Sequence, residues 1–129
     1  MRKTVQTGAP WESIAGYSRA IRAGNTIYVT GTTSLDAAGK LMHQGDAAAQ
    51  TRRVFEIIAS ALNGLGASLD DVVRTRMYVT NIARDWEAVA RAHGDALGHV
   101  RPATTMVEVK ALIDPDMLVE IEAVAVLGN

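Results

Sequence analysis

Hydrophobic positions recur along this chain with two different periods. Val54, Ile57, Ile58, Ala61, Leu62 and Leu65 return every three or four residues, the spacing of one helix face. Asp46 is placed to cap the start of that helix, and Gly66 to stop it. A second helix is expected over residues 85–97, with Asp85 as its cap and Gly98 just beyond its end. Between and around them, β-branched and aromatic runs predict strands over 27–32, 72–80, 104–109 and 118–126, with a shorter one over 17–23 closed by Gly24-Asn25. Residues 36–39 read as the turn of a small hairpin or loop, and 68–71 as a turn. Pro115 punctuates the break between the last two strands.

Two helices and five or six strands in this order predict an α+β fold, a two-layer sandwich with both helices on one face of a mixed sheet. The opposite face is then informative. Alternation along 72–80 puts Val73, Thr75, Met77 and Val79 on one side and Val72, Arg74, Arg76, Tyr78 and Thr80 on the other. In the last strand, Val119, Ile121, Ala123 and Ala125 oppose Leu118, Glu120, Glu122, Val124 and Val126. The second face thus mixes apolar residues with both signs of charge. A face packed against other subunits has this character, whereas a solvated one is more polar. An oligomer is expected, of a size the pattern does not give.

The 129 residues suit one domain spanning 1–129. A net charge of −1 and the absence of any Lys/Arg-rich run offer nothing to a phosphate backbone, so nucleic acid is not an expected partner. With no cysteine, disulfides and thiolate chemistry are excluded. No apolar run approaches the roughly 18 residues of a membrane helix. The polar N-terminus lacks the apolar stretch of a secretory signal, so a cytoplasmic protein with no membrane partner is expected. His43, His93 and His99 fall in different elements without HxxxH or HExxH spacing, so no metal site is expected.

Several short stretches, in order and at matching spacing, carry a family resemblance. They are Gly16-Tyr17-Ser18-Arg19-Ala20-Ile21, Val29-Thr30-Gly31, Gln50-Thr51-Arg52, the run from Gly66 to Val73, Arg101-Pro102-Ala103 and Val119-Glu120-Ile121-Glu122-Ala123. Together they resemble the reactive intermediate deaminase (Rid, or YjgF-like) family from about Tyr17 to Val126. The resemblance implies a chorismate-mutase-like fold and a homotrimer whose sheets close a central barrel. It also implies small-molecule clefts between subunits and hydrolysis of enamines and imines without metal or organic cofactor.

On the same basis Glu120 is the candidate for handling water and protons, work that a partly buried carboxylate can do. Pairing with Arg74 or Arg76 is its structural alternative. Tyr17, Thr30, Gly31, Thr104, Thr105 and Met106 are the implied ligand-binding residues. Gly31 would let a ligand approach the backbone, or else mark a bulge. Trp11 could lid a cleft. One departure bears on substrate. Thr104 stands where the family's deaminases carry the arginine that clamps a carboxylate, and a threonine hydroxyl does not replace a bidentate guanidinium. The expected activity is therefore that of an enamine/imine deaminase or close relative on something other than the usual 2-aminoacrylate type of substrate. Arg76 is a candidate to supply the missing charge, with a salt bridge to Glu120 or Glu122 as its alternative role. A non-catalytic binding or stress-protective module is the second reading. The ribonuclease activity ascribed to some relatives fits less well, given the near-neutral charge.

Overall fold

The computed structural model describes residues 2–128. Its elements are β1 (Arg2–Val5), α1 (Pro10–Ala15), β2 (Ala20–Ala23), β3 (Thr26–Thr32), α2 (Ala47–Gly64), β4 (Val72–Val79), α3 (Ile82–Leu97), β5 (Ala103–Glu108) and β6 (Val119–Val126), with a 3-10 turn at Leu69–Asp71. One six-stranded sheet runs β1-β2-β3-β6-β4-β5. Every pairing is antiparallel except β4 with β5, which α3 joins as a parallel crossover. The mixed α+β sandwich expected from the sequence is the observed architecture.

The long helix forms where its apolar stripe predicts. Asp46 caps it by accepting a hydrogen bond from the Ala49 amide at 3.0 Å, and Gly66 follows its end with φ +83°. Val54, Phe55, Ile58, Ala61 and Leu62 are buried against Ile27, Val29, Ile121 and Ala123 of the two central strands. Each such side chain contributes about 1.5–3 kcal/mol on leaving water. The α3 residues Val89 and Leu97 join the same core.

Three expectations need correction. The second helix starts at Asn81, not Asp85. The Asn81 side chain accepts from the Arg84 amide at 3.1 Å, and Asp85 lies in the first turn with its buried carboxylate held by Arg84. Asn81 takes the cap that the sequence assigns to Asp85, so the helix begins one turn earlier. The side assignment at the start of β4 is also reversed. Val72 is 2% exposed and Val73 46%. Val73 is an extra residue between the pairs Val72↔Ala125 and Arg74↔Val124, a β-bulge that shifts the phase of alternation. Finally, the polar N-terminus holds β1 and α1. β1 is an edge strand with mostly exposed side chains, so it carries no alternating signal. α1 is six residues long, begins with Pro10 and ends at Gly16 in the left-handed region, φ +76°. A proline at position 16 could not adopt that angle.

Gln50 is wholly buried and joins three segments. Its Nε2 donates to the carbonyls of His43 (3.2 Å) and Asp116 (3.1 Å), and its Oε1 accepts from the Leu118 amide at 2.9 Å. It anchors the chain that leads into β6. A Gln50→Leu substitution strands three backbone groups and is expected to cost about 2–4 kcal/mol in urea unfolding. A loss below about 1 kcal/mol would show that water replaces the amide.

Candidate functional site

A cleft of about 630 Å³ opens beside the β3–β6 pair. Its floor is set by a second bulge. Thr30 and Gly31 together stand opposite Glu122 alone, between the pairs Val29↔Ala123 and Thr32↔Ile121. This brings Gly31 against the side chain of Glu120. A β-carbon on Gly31 would lie 2.7 Å from Glu120 Oε2 and 3.0 Å from its Cδ, so glycine makes the room the carboxylate occupies.

Glu120 faces the cleft half-buried. Burial raises its affinity for a proton above that of an ordinary carboxylate, the nearby Glu122 adds to the effect, and the Arg19 charge opposes it. Neither Arg74 nor Arg76 pairs with it. Arg76 binds Glu122 at 3.0 Å instead. Glu120 is thus a carboxylate with a raised pKa, open to a ligand.

The wall beside it is built on a buried ion pair. Arg19 Nη2 donates to Glu12 Oε2 at 3.1 Å, with both side chains at most 6% exposed. Arg19 Nη1 donates to the Gly31 carbonyl at 2.8 Å and to Thr32 Oγ1 at 3.2 Å, and the guanidinium carbon lies 5.7 Å from the centroid of the Tyr17 ring. Glu12 also accepts from the amide and hydroxyl of Thr7. Burial alone would raise the Glu12 pKa, but the Thr7 and Arg19 donors outweigh it and hold the carboxyl below its usual range.

The remaining wall is largely apolar. Trp11 and Ile14 of α1, Ile57 of α2 and Ile113 line it, together with Arg53 and Glu56 of α2. Ile14 and Ile113 stand 80% and 64% exposed at its rim.

Within one chain the structure brings together Glu120, Tyr17, Gly31 and Trp11 of the sequence candidates. The others lie elsewhere. Thr30 donates to the Ser18 carbonyl at 2.7 Å and, with Arg76, lines a smaller groove of about 260 Å³ on the opposite side of the sheet from the helices. Thr104, Thr105 and Met106 sit on edge strand β5, with β4 between them and β6. Thr104 Oγ1 accepts from Thr75 Oγ1 at 2.6 Å, and Thr75 Oγ1 lies 2.8 Å from His93 Nε2. Sequence reasoning did not place Glu12, Arg53 or Glu56 in the cleft. Arg19 entered that reasoning only as part of the Gly16–Ile21 stretch that carries the resemblance. Among the described residues no cluster of three or more His, Asp or Glu side chains is arranged to hold a metal ion, and no helix is long and apolar enough to cross a membrane.

Comparison with known proteins places this geometry in context. The endoribonuclease L-PSP family model matches residues 7–127. The 3-aminoacrylate deaminase RutC of Acinetobacter baylyi is 39% identical over 112 residues, 87% of each chain. An uncharacterised protein of Streptomyces coelicolor is 37% identical over 126 residues, 98% of this chain and 92% of its own length. Among solved structures, a member of the YjgF/YER057c/UK114 family from Mycobacterium tuberculosis superposes with a TM-score of 0.90 at 49% identity, covering 98% of this chain and all of the other. A family match over residues 7–127 and a fold that superposes over nearly the whole length admit one conclusion: the chain belongs to the endoribonuclease L-PSP family of Rid/YjgF proteins.

Proposed function

We propose that the Glu120 cleft hydrolyses small reactive enamines or imines to a carbonyl compound and ammonia. The observation that carries this reading is Glu120 itself, an accessible carboxylate of raised pKa held against Gly31 in a largely apolar cleft. An enamine first takes a proton on carbon and becomes an iminium ion. Water then adds to the iminium carbon while Glu120 accepts a proton from it. Glu120 returns the proton to the nitrogen, the C–N bond breaks to release ammonia, and the hydroxyl loses its proton to water as the carbonyl forms. Tyr17 lies beside the reacting centre, available to orient substrate or water. Membership in a deaminase-containing family, with a relative named for 3-aminoacrylate, supports the same chemistry.

The proposal includes assembly. Three copies pack through the sheet face that carries Arg74, Arg76, Tyr78 and Val124. Thr104, Thr105 and Met106 of one copy then complete the cleft of its neighbour. Thr104 offers a hydroxyl there in place of a guanidinium, and Arg76 is occupied by Glu122.

The test is to generate 2-aminoacrylate from serine with a dehydratase, alongside imines from other sources, and follow carbonyl product with and without this protein. Glu120→Gln is expected to lower kcat/KM by about 10²–10⁴-fold. A variant as fast as wild type removes Glu120 from the mechanism. Because the working base is ionised, the rate should fall on acidification through a midpoint above the ordinary 4.5 of a glutamate, and Glu120→Gln should lose that limb.

Stability gives an independent reading. A carboxylate whose folded pKa is raised makes the native state lose stability as pH rises from the unfolded value through the folded one. Glu120→Gln removes that loss. The variant should therefore melt above wild type at neutral pH, with the gap closing below about pH 4.5. An unchanged gap at every pH would show no linkage to this carboxyl. Gly31→Ala separates position from folding. The methyl meets the movable end of Glu120, so the melting temperature should hold near wild type while kcat/KM drops at least tenfold.

A further inference from the structure

Size, lining and charge of the cleft narrow the substrate class, and this inference rests on the hydrolytic reading above. A volume of about 630 Å³ is in the range of sites that take drug-sized ligands. A three-carbon acrylate would leave most of it to water. The excess space is not polar. Trp11, Ile14, Ile57 and Ile113 lead from the rim toward Glu120, and two of them stand strongly exposed on a surface that gains nothing from wetting them.

The charges in the cleft point the same way. Its cationic side chains are Arg19 and Arg53. Arg19 spends one nitrogen on the Gly31 carbonyl and Thr32, and another on Glu12. Arg53 donates through Nε to the Leu35 carbonyl at 2.9 Å and through Nη1 to Glu56 at 3.1 Å. Against these two cations stand Asp36, Glu56 and Glu120. Arg19 has no open fork for a substrate carboxylate, and Arg53 is already engaged through both Nε and Nη1. A carboxylated ligand would meet Glu120 as a like charge, whereas an iminium cation meets it as an opposite one.

We propose that the substrate is an uncarboxylated imine or enamine bearing an apolar body, aryl or branched alkyl. Its nitrogen lies at Glu120 and its apolar part along Ile57, Trp11, Ile14 and Ile113. Hydrolysis is balanced as R–CH=NH plus water giving R–CHO plus ammonia, with no oxidant or cofactor.

The test crosses size with charge. A flavin amine oxidase generates the neutral imines of phenylethylamine and propylamine, and an amino-acid oxidase generates the imino acids of phenylalanine and alanine. Loss of imine is followed by competition with semicarbazide. The phenylethylamine imine is expected to show the highest kcat/KM, at least tenfold above both the propylamine imine and the phenylalanine-derived imino acid. Equal or faster hydrolysis of the three-carbon imino acid overturns the proposal and leaves the hydrolase intact. If no imine is turned over, the hydrolytic reading fails, and binding decides the ligand class separately. Phenylacetamide should then quench Trp11 fluorescence with about 10–100-fold higher affinity than acetamide, the ratio expected for burying one aromatic ring. Equal affinities overturn the proposal. Ile14→Asp, at an exposed position, should erase the preference for the phenyl compounds over the propylamine imine. If it instead changes only the mass of the assembly, the rim is a subunit contact and the proposal falls.

Discussion

The floor and the α1 wall of the cleft are tied to one buried guanidinium. Arg19 holds the β3 bulge through the Gly31 carbonyl and Thr32, fixes α1 through Glu12, and lies beside the Tyr17 ring. Glu12 in turn holds the segment before α1 through Thr7. A buried ion pair is weak grounds for net stability, because desolvating two charges offsets most of their attraction. Its consequence here is geometric. Removing either partner would leave an uncompensated charge in the interior. The N-terminal segment, α1 and the bulge therefore keep one arrangement relative to each other, and Glu120 inherits it.

The same pair also bears on the electrostatics around Glu120. Burial pushes the proton affinity of that carboxyl up. Arg19 lowers it from nearby while being neutralised locally by Glu12, so the carboxyl is held between extremes. The two glutamates in contact with this arginine network move in opposite directions. Glu12 is pulled below its usual range by donors, and Glu120, which has none, is pushed above. Pairs of carboxyls separated in this way commonly divide into a structural anion and a working acid–base group.

The legible parts of the fold were those where periodicity and burial coincide. α2 is read from Val54 to Leu65 because one stripe faces the core, and β6 because Val119, Ile121, Ala123 and Ala125 are all buried. The bulge at Val73 leaves no trace in the sequence, since Val72 and Val73 are the same residue and only the register against β6 tells them apart. β1 was silent because an edge strand with solvent on its side chains has no pattern to show. At the site, Glu120, Tyr17 and Gly31 were visible through short motifs. The partner of Arg19 was not, because Glu12 lies across a left-handed glycine turn in a six-residue helix too short to show a period.

The sequence candidates divide between two settings with different physical constraints. Glu120, Tyr17 and Gly31 line one cleft, whereas Thr104 to Met106 lie on β5, with β4 between that strand and β6. The first group is locked to the core through the bulge and the Arg19 network, where a change would disturb packing as well as the cleft. β5 is an edge strand with mostly exposed side chains, and Ile14 and Ile113 stand exposed at the rim, where substitution costs the fold little. Under the proposed assembly, the residues freest to vary without cost to the fold are those that would set what the cleft accepts, and the residues around Glu120 are the least free.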